Sequence, residues 1–242
     1  MRIAGSTIVV TGASSGIGAA TARGAARAGA KVLLIGRDRG RLDAVAEETG
    51  GTPIVADLAE PGAVHVDEPV DVLINNAGFG YAGDLADMPP DRIRALIDVN
   101  LTAPAELTRA LLPGMIARGR GHIAFVTSIA GATGVRGEAV YSAAKAGAAV
   151  LADALRQEVS GQGIGVSTIL PGIVDTPFFT RRGVPYDRSR PRPVTPERVA
   201  AEILRAVEHD RAEVYVPRWL GFPPRVKGAL PGLYRTLATR FG

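Results

Sequence analysis

The sequence predicts an α/β fold: a doubly wound, seven-stranded parallel sheet flanked by helices in a single domain. Three observations predict it. Short β-branched or aliphatic runs alternate with longer Ala/Leu/Arg/Glu segments at helical spacing. A glycine-rich stretch, residues 11–18, joins the first of these runs to the first helical segment. The 242 residues, 46% of them hydrophobic, suffice for one sizeable core.

Taken in order, the strands are expected at residues 7–11, 31–35, 52–55, 70–75, 122–127, 164–170 and 213–216. Helices are expected at 16–28, 39–48, 90–118, 139–160 and 195–207, each with an apolar stripe suited to covering one face of the sheet. The connection from Asp57 to Asp71 carries Pro61, Gly62 and Pro69 and reads as a loop or a single turn. Residues 181–193, rich in Arg and Pro, read as a mobile loop. The domain is expected to fill residues 1–216, with residues 217–242 a basic amphipathic tail of the same domain.

Composition removes several classes of function. With no cysteine there is neither a disulfide nor a thiolate nucleophile, and a cytoplasmic setting is expected. His65, His122 and His209 stand apart with no second ligand at metal spacing, so no metal is expected. The first apolar run is too short for a secretory core or a membrane span. The net charge of +4 is concentrated in the tail, where Arg218, Arg225, Lys227, Arg235 and Arg240 occur without an acid; nucleic acid is therefore not an expected partner. Leu230, Leu233, Tyr234 and Leu237 add a helical apolar stripe. Such a tail could pack within the molecule or against another subunit, cover a substrate mouth, or make peripheral contact with an anionic membrane, packing being the first expectation.

Chemistry concentrates at the ends of the strands. The turn Thr11-Gly12-Ala13-Ser14-Ser15-Gly16-Ile17-Gly18 lets backbone approach a pyrophosphate, and the helix behind it presents free N–H groups and a favourable dipole. Tyr141 and Lys145, four apart on a helix, share one face. An ammonium there would lower the phenol towards neutrality, so that Tyr141 could act as general acid or base. Ser128, at the end of the fifth strand, would face the crevice beyond the strand ends.

The spacing T-G-x-x-x-G-x-G, the Asn75-Asn76-Ala77-Gly78 stretch, Ser128, the Y-x-x-x-K pair and Pro171-Gly172, in that order, resemble the short-chain dehydrogenase/reductase family as far as about Val216. The resemblance implies a Rossmann-type fold and hydride transfer between a nicotinamide cofactor and a carbonyl or alcohol. It implies catalytic roles for Asn100, Ser128, Tyr141 and Lys145, with Ser128 polarising the substrate oxygen and Asn100 holding a water that passes protons to Lys145. Cofactor contacts are implied at Gly12, Ser14, Ser15, Gly16, Ile17, Gly18, Arg37, Asp57, Leu58, Asn76, Ala77, Gly78, Tyr141, Lys145, Pro171, Gly172, Ile173 and Thr176. Gly36 stands where NAD-preferring relatives carry an acid and Arg37 follows it, which implies NADP(H); Asp38 leaves NAD open. Asp57 reads equally well as the cap of its own turn.

Phe79, Tyr81, Phe178, Phe179 and Tyr186 suggest an apolar, lipid-, steroid- or polyketide-like substrate. A 3-oxoacyl-carrier-protein reductase, or a regulator that binds cofactor without turnover, stays open beside that reading. The helices beginning at Pro90 and Ala139 resemble those with which the family builds homodimers and homotetramers.

Overall fold

The computed structural model describes residues 1–187 and 189–241. Among these, seven apolar runs pair in parallel: β1 (Thr7–Thr11), β2 (Lys31–Gly36), β3 (Thr52–Val55), β4 (Val72–Asn75), β5 (Gly121–Val126), β6 (Ile164–Pro171) and β7 (Glu213–Val216). Their order in the sheet is β3-β2-β1-β4-β5-β6-β7. The chain therefore winds outward twice from the centre, and strand order reverses between β1 and β4, where a crevice opens beyond the strand ends.

Each central strand buries both faces, which explains its near-continuous apolar sequence. Ile8, Val10, Val32, Leu34, Val72, Ile74, Ala124 and Val126 point to one core. Val9, Leu33, Ile35, Leu73, Ile123 and Phe125 point to the other. The first core is closed by α1 (Gly16–Arg27), α2 (Arg39–Thr49) and α8 (Pro196–His209), through small residues such as Ala19, Ala22 and Ala25 and through Leu42, Val199 and Ile203. The second is closed by α4 (Ala103–Ala117) and α6 (Ala139–Glu158), with Leu107, Met115, Ala152 and Leu155. Pro196 at the start of α8, with the Thr195 hydroxyl accepting from the Arg198 N–H, gives that helix a well-capped beginning.

The structure corrects four expectations. The helix expected over residues 90–118 is α3 (Pro90–Ile97), a π-helical turn (Asp98–Thr102) and α4. Pro104 has no N–H to offer the Asn100 carbonyl, and the Asn100 side chain donates to the Leu96 carbonyl at 3.0 Å, so the regular ladder fails there. β4 begins at Val72: the Thr7 N–H goes to the Asp71 carboxylate and the Val70 carbonyl accepts from Arg118, so the ladder does not extend to residue 70. Residues 181–193 do not begin as a free loop: α7 (Phe178–Arg181) precedes them, and Val194 bridges to Val174 at their end. Two short helices, α5 (Ile129–Thr133) and α7, were below the reach of periodicity.

The tail forms α9 (Phe222–Ala229) and α10 (Pro231–Phe241) rather than one continuous segment. Pro231 bars Leu230 from the helical region, and Leu230 takes φ −135° and ψ 65°. The Lys227 ammonium donates to the Ala132 and Thr133 carbonyls at 3.0 and 3.3 Å, which docks the tail on the end of α5. Gly242 and the side chain of Arg240 lie outside the described residues.

Candidate active site

A cavity of about 810 Å³ occupies the crevice at the strand ends. Every residue expected at the cofactor or the reaction centre lines it except Gly18 and Asn100, which stand just behind the lining. A Cβ on Gly18 would meet the Gly12 carbonyl oxygen at 2.2 Å, so Gly18 is needed for α1 to pack on its own turn. Gly12 and Gly16 hold φ of +66° and +55°, the left-handed backbone that glycine tolerates. Thr11 ties the turn to the next strand end: its hydroxyl engages the Asn76 and Ala77 N–H groups, each at 2.9 Å, and its carbonyl accepts from Asn76 Nδ2 at 2.8 Å.

At the outer end of the cavity, Asp38 caps α2 by accepting the Arg41 N–H at 3.0 Å and pairs with the Arg41 guanidinium at 2.6 Å. Those contacts, the backbone one foremost, hold its carboxyl below the usual range. Asp38 is thereby engaged on its own helix. Arg37 reaches Asp57 at 3.5 Å, and Asp57 also accepts the Ala59 N–H at 3.0 Å, so it caps its turn while facing the cavity. Sequence reasoning missed Arg41 and Arg181, which bring two more guanidinium groups to this end. Arg181 lies 166 positions from the Ser15 hydroxyl to which it donates, beyond any local pattern.

At the inner end, α6 places Tyr141 and Lys145 side by side and buried. The Lys145 ammonium donates to the Val126 carbonyl at 3.0 Å and stands 5.9 Å from the Tyr141 ring centre. Ser128, expected at the end of the fifth strand, lies two residues past β5 at the N-cap of α5; its Oγ accepts the Ala130 N–H at 3.1 Å, which leaves its own O–H for another partner. Asn100 is 1% exposed and donates to the Phe79 carbonyl as well as to Leu96, while its Oδ1 has no partner. The π-helical turn carries it there. A Cβ on Gly78 would meet Asn100 Oδ1 at 2.6 Å and Lys145 Nζ at 3.2 Å, so glycine at 78 brings these two groups to one place.

The expected lowering of the phenol is not found. Burial pushes the Tyr141 phenol up to about 12, with its hydrogen bond to Ser128 pulling the other way. Burial pushes the Lys145 ammonium down to about 8. In this interior the removal of water outweighs the hydrogen bond with Ser128, and the phenol is held protonated.

The cavity wall is aromatic. Phe178 sits 5.5 Å from the Tyr141 ring and also 5.5 Å from Phe179, which stands 5.6 Å from Tyr186. Phe79 lines the same space, whereas Tyr81 packs behind it with Phe79 and Phe178. Arg182 pairs with Glu138, buried at 7% exposure, and stacks 4.6 Å from the Phe179 ring; this ion pair was also not foreseen.

Comparison with known proteins agrees with this geometry. The family profile described as short chain dehydrogenase matches residues 6–185. A ketoacyl reductase of Nostoc sp. is 34% identical over 233 residues, covering 88% of this chain and 79% of its own. Among solved structures, a short-chain dehydrogenase from Sphingobium yanoikuyae in complex with NADPH matches with a TM-score of 0.82 at 30% identity, over 94% of this chain and 95% of that one. A bulky-bulky ketone specific alcohol dehydrogenase from Comamonas testosteroni matches at 0.78 and 28% identity, over 94% of each chain.

Proposed function

The chain belongs to the short-chain dehydrogenase/reductase family, and we propose that it is an NADP(H)-dependent oxidoreductase interconverting a bulky, apolar ketone and its secondary alcohol. The observation that carries this reading is the single cavity with three guanidinium groups at one end and Tyr141, Lys145 and Ser128 against an aromatic wall at the other. A dinucleotide suits it: the turn from Gly12 to Gly18 lies between the two ends, and Asp57, Leu58, Asn76 to Gly78, Pro171 to Ile173 and Thr176 supply its walls. The solved neighbour with NADPH and the engagement of Asp38 by Arg41 both support the phosphorylated cofactor.

NADP(H) supplies or takes up the hydride. The chain's own residues manage the oxygen and its proton. Ser128, with Oγ fixed by the Ala130 N–H, donates its O–H to the substrate oxygen and holds it at Tyr141. The phenol, kept protonated by burial, donates to that oxygen as negative charge develops in reduction. Lys145 stands 5.9 Å from the Tyr141 ring centre, and the unpaired Asn100 Oδ1 accepts from a water that returns a proton to Lys145. Phe79, Phe178, Phe179 and Tyr186 exclude water and select for bulk.

NADPH consumption across ketones of rising size, with 3-oxoacyl thioesters in the same series, tests this. Bulky apolar ketones should turn over best, and Tyr141→Phe should lose at least about 100-fold in turnover with NADPH affinity unchanged. A preference for 3-oxoacyl thioesters would replace the substrate class by that of the Nostoc relative. Tight NADPH binding without any turnover would replace the enzyme by a cofactor-binding regulator.

The tail supports a second role, contact with an anionic membrane surface. Trp219, Phe222, Leu230, Leu233 and Leu237 are 43–69% exposed, and no acid follows Glu213 among Arg218, Arg225, Lys227 and Arg235. A second copy placed on this face would set cation against cation, whereas anionic headgroups complement it. None of these residues lines the cavity. The protein should sediment with phosphatidylglycerol-containing vesicles and not with pure phosphatidylcholine, and a Trp219→Ala, Phe222→Ala double variant should lose that binding; equal sedimentation of variant and parent rejects the idea. A homodimer or homotetramer built on α4 and α6, whose Ile116 and Val150 are 38% and 67% exposed, would be rejected by a monomer in the lipid-free runs. Among the described residues no helix is long and apolar enough to cross a membrane.

A further inference from the structure

We propose that Arg181 is a third arm of the site for the cofactor's 2′-phosphate, and that α7 is a strap through which that phosphate holds Phe178 against Tyr141 and so shapes the substrate pocket. This rests on the NADP(H) reading and adds to it a residue from the substrate side of the cleft.

Four observations converge. Ser15 stands at the N-cap of α1 yet makes no capping bond with its side chain; Arg181 Nη1 donates to its hydroxyl instead, at 3.2 Å. Thr176, two residues before α7, lies directly on the glycine turn, since a Cβ on Gly16 would meet its Cγ2 at 3.0 Å. Arg37 and Arg41 lie close enough to Arg181 that, after burial, their like charges are what depress its pKa. Asp38 opposes the charge of Arg181 and Asp57 pairs with Arg37, and both carboxylates are shared with backbone amides. A cluster of like charges assembled at the outer end of the cavity is costly until an anion enters it, and a phosphate dianion accepts from several guanidinium groups at once.

The other half of the argument is the length of α7. Its four residues span the cleft: Phe178 faces the Tyr141 ring at 5.5 Å, and a Cβ on Gly80 would meet Phe178 Cζ at 2.7 Å, so this ring is closely confined. Arg182, immediately after, is tied to the buried Glu138 beside the same pocket. Arg181 and Phe178 are three apart on one turn, so a shift of that turn moves both. An anion that fixes Arg181 therefore fixes the wall of the substrate pocket, a coupling that the unphosphorylated cofactor, ending in a 2′-hydroxyl, would not provide.

The test is direct binding of NADPH and of NADH to the whole protein by fluorescence titration, followed by the ketone KM with each cofactor at saturation. Arg181→Met keeps the aliphatic stem and removes the charge. It should weaken NADPH binding by about 10-fold or more, leave NADH binding unchanged, and raise the ketone KM several-fold with NADPH only. Arg181→Lys should restore part of the NADPH affinity, and unchanged melting temperatures exclude a folding defect. Equal losses for both cofactors would assign Arg181 to the pyrophosphate or to the fold and overturn the proposal, as would no loss with either. If the parent protein itself binds NADH more tightly than NADPH, the cofactor reading fails first and takes this inference with it; binding without turnover leaves the affinity comparison fully decisive for Arg181.

Discussion

The two ends of the sheet bury comparable chemistry and treat it in opposite ways. Beyond the N-terminal ends of β5 and β6 lies a second cavity of about 730 Å³, lined among others by Arg2, Arg120, His122, Gly165 and Asp210. His122 Nε2 meets the Ser167 hydroxyl at 2.8 Å, and Asp210 stands on the far side of the ring, a Ser-His-Asp set in outline. It is not built for nucleophilic work. Ser167 is fully buried and gives its proton to the Arg211 carbonyl at 2.6 Å, and Asp210 is 3.8 Å from His122 Nδ1, too far for a hydrogen bond. Arg156 satisfies the Val166 and Ala212 carbonyls around it. At the site end, by contrast, Asn100 Oδ1 has no partner and Lys145 makes one hydrogen bond for three available protons. Polar groups that close on one another hold the fold together; those left open in a cavity are held for something else.

The sharpest break of this comparison is Lys145→Met. A buried cation costs the fold stability at pH 7 because its charged form is disfavoured there, as its depressed pKa records. Removing it should raise stability by about 1–2 kcal/mol in chemical denaturation, after the loss of the bond to Val126, while turnover falls by about 1000-fold. A variant both less stable and still active would place Lys145 with the structural groups of the opposite end.

The contrast between the ends also measures what the sequence could tell. The central strands were legible because both faces are buried and their runs are unbroken. A four-residue spacing put Tyr141 and Lys145 on one helix face, but only the family resemblance singled them out as a catalytic pair. The interruption at Asn100 had a local signal in Pro104, which removes a helical donor, and the split of the tail had one in Pro231. Arg181 had none: its partner lies at Ser15, and only the return of the chain after β6 brings α7 onto the glycine turn. The rise of the phenol was equally hidden, since a spacing reports that Lys145 is near but not how much water the surrounding side chains remove. His122, read from the sequence as a structural or surface residue, is structural, but its partner Ser167 was beyond local pattern.

The closed end yields the smaller prediction. Burial pushes His122 down to about 4, with Asp210 opposing and the Met1 amino group and Arg156 assisting. The folded state therefore binds fewer protons here than the unfolded chain, whose histidine titrates near 6.5. Stability from this group is fully present above that value and is lost as the pH falls through the interval down to about 4. The loss comes to roughly 3 kcal/mol in all, since each pH unit between the two values is worth about 1.4 kcal/mol. Urea midpoints measured from pH 7 to pH 4 should fall accordingly, and His122→Asn, which cannot gain the charge, should flatten that slope even though it starts less stable. The ketone KM at pH 7 should not change in this variant, because the ring does not line the active-site cavity. An unaltered slope in the variant would mean that carboxylates, not this histidine, govern acid unfolding.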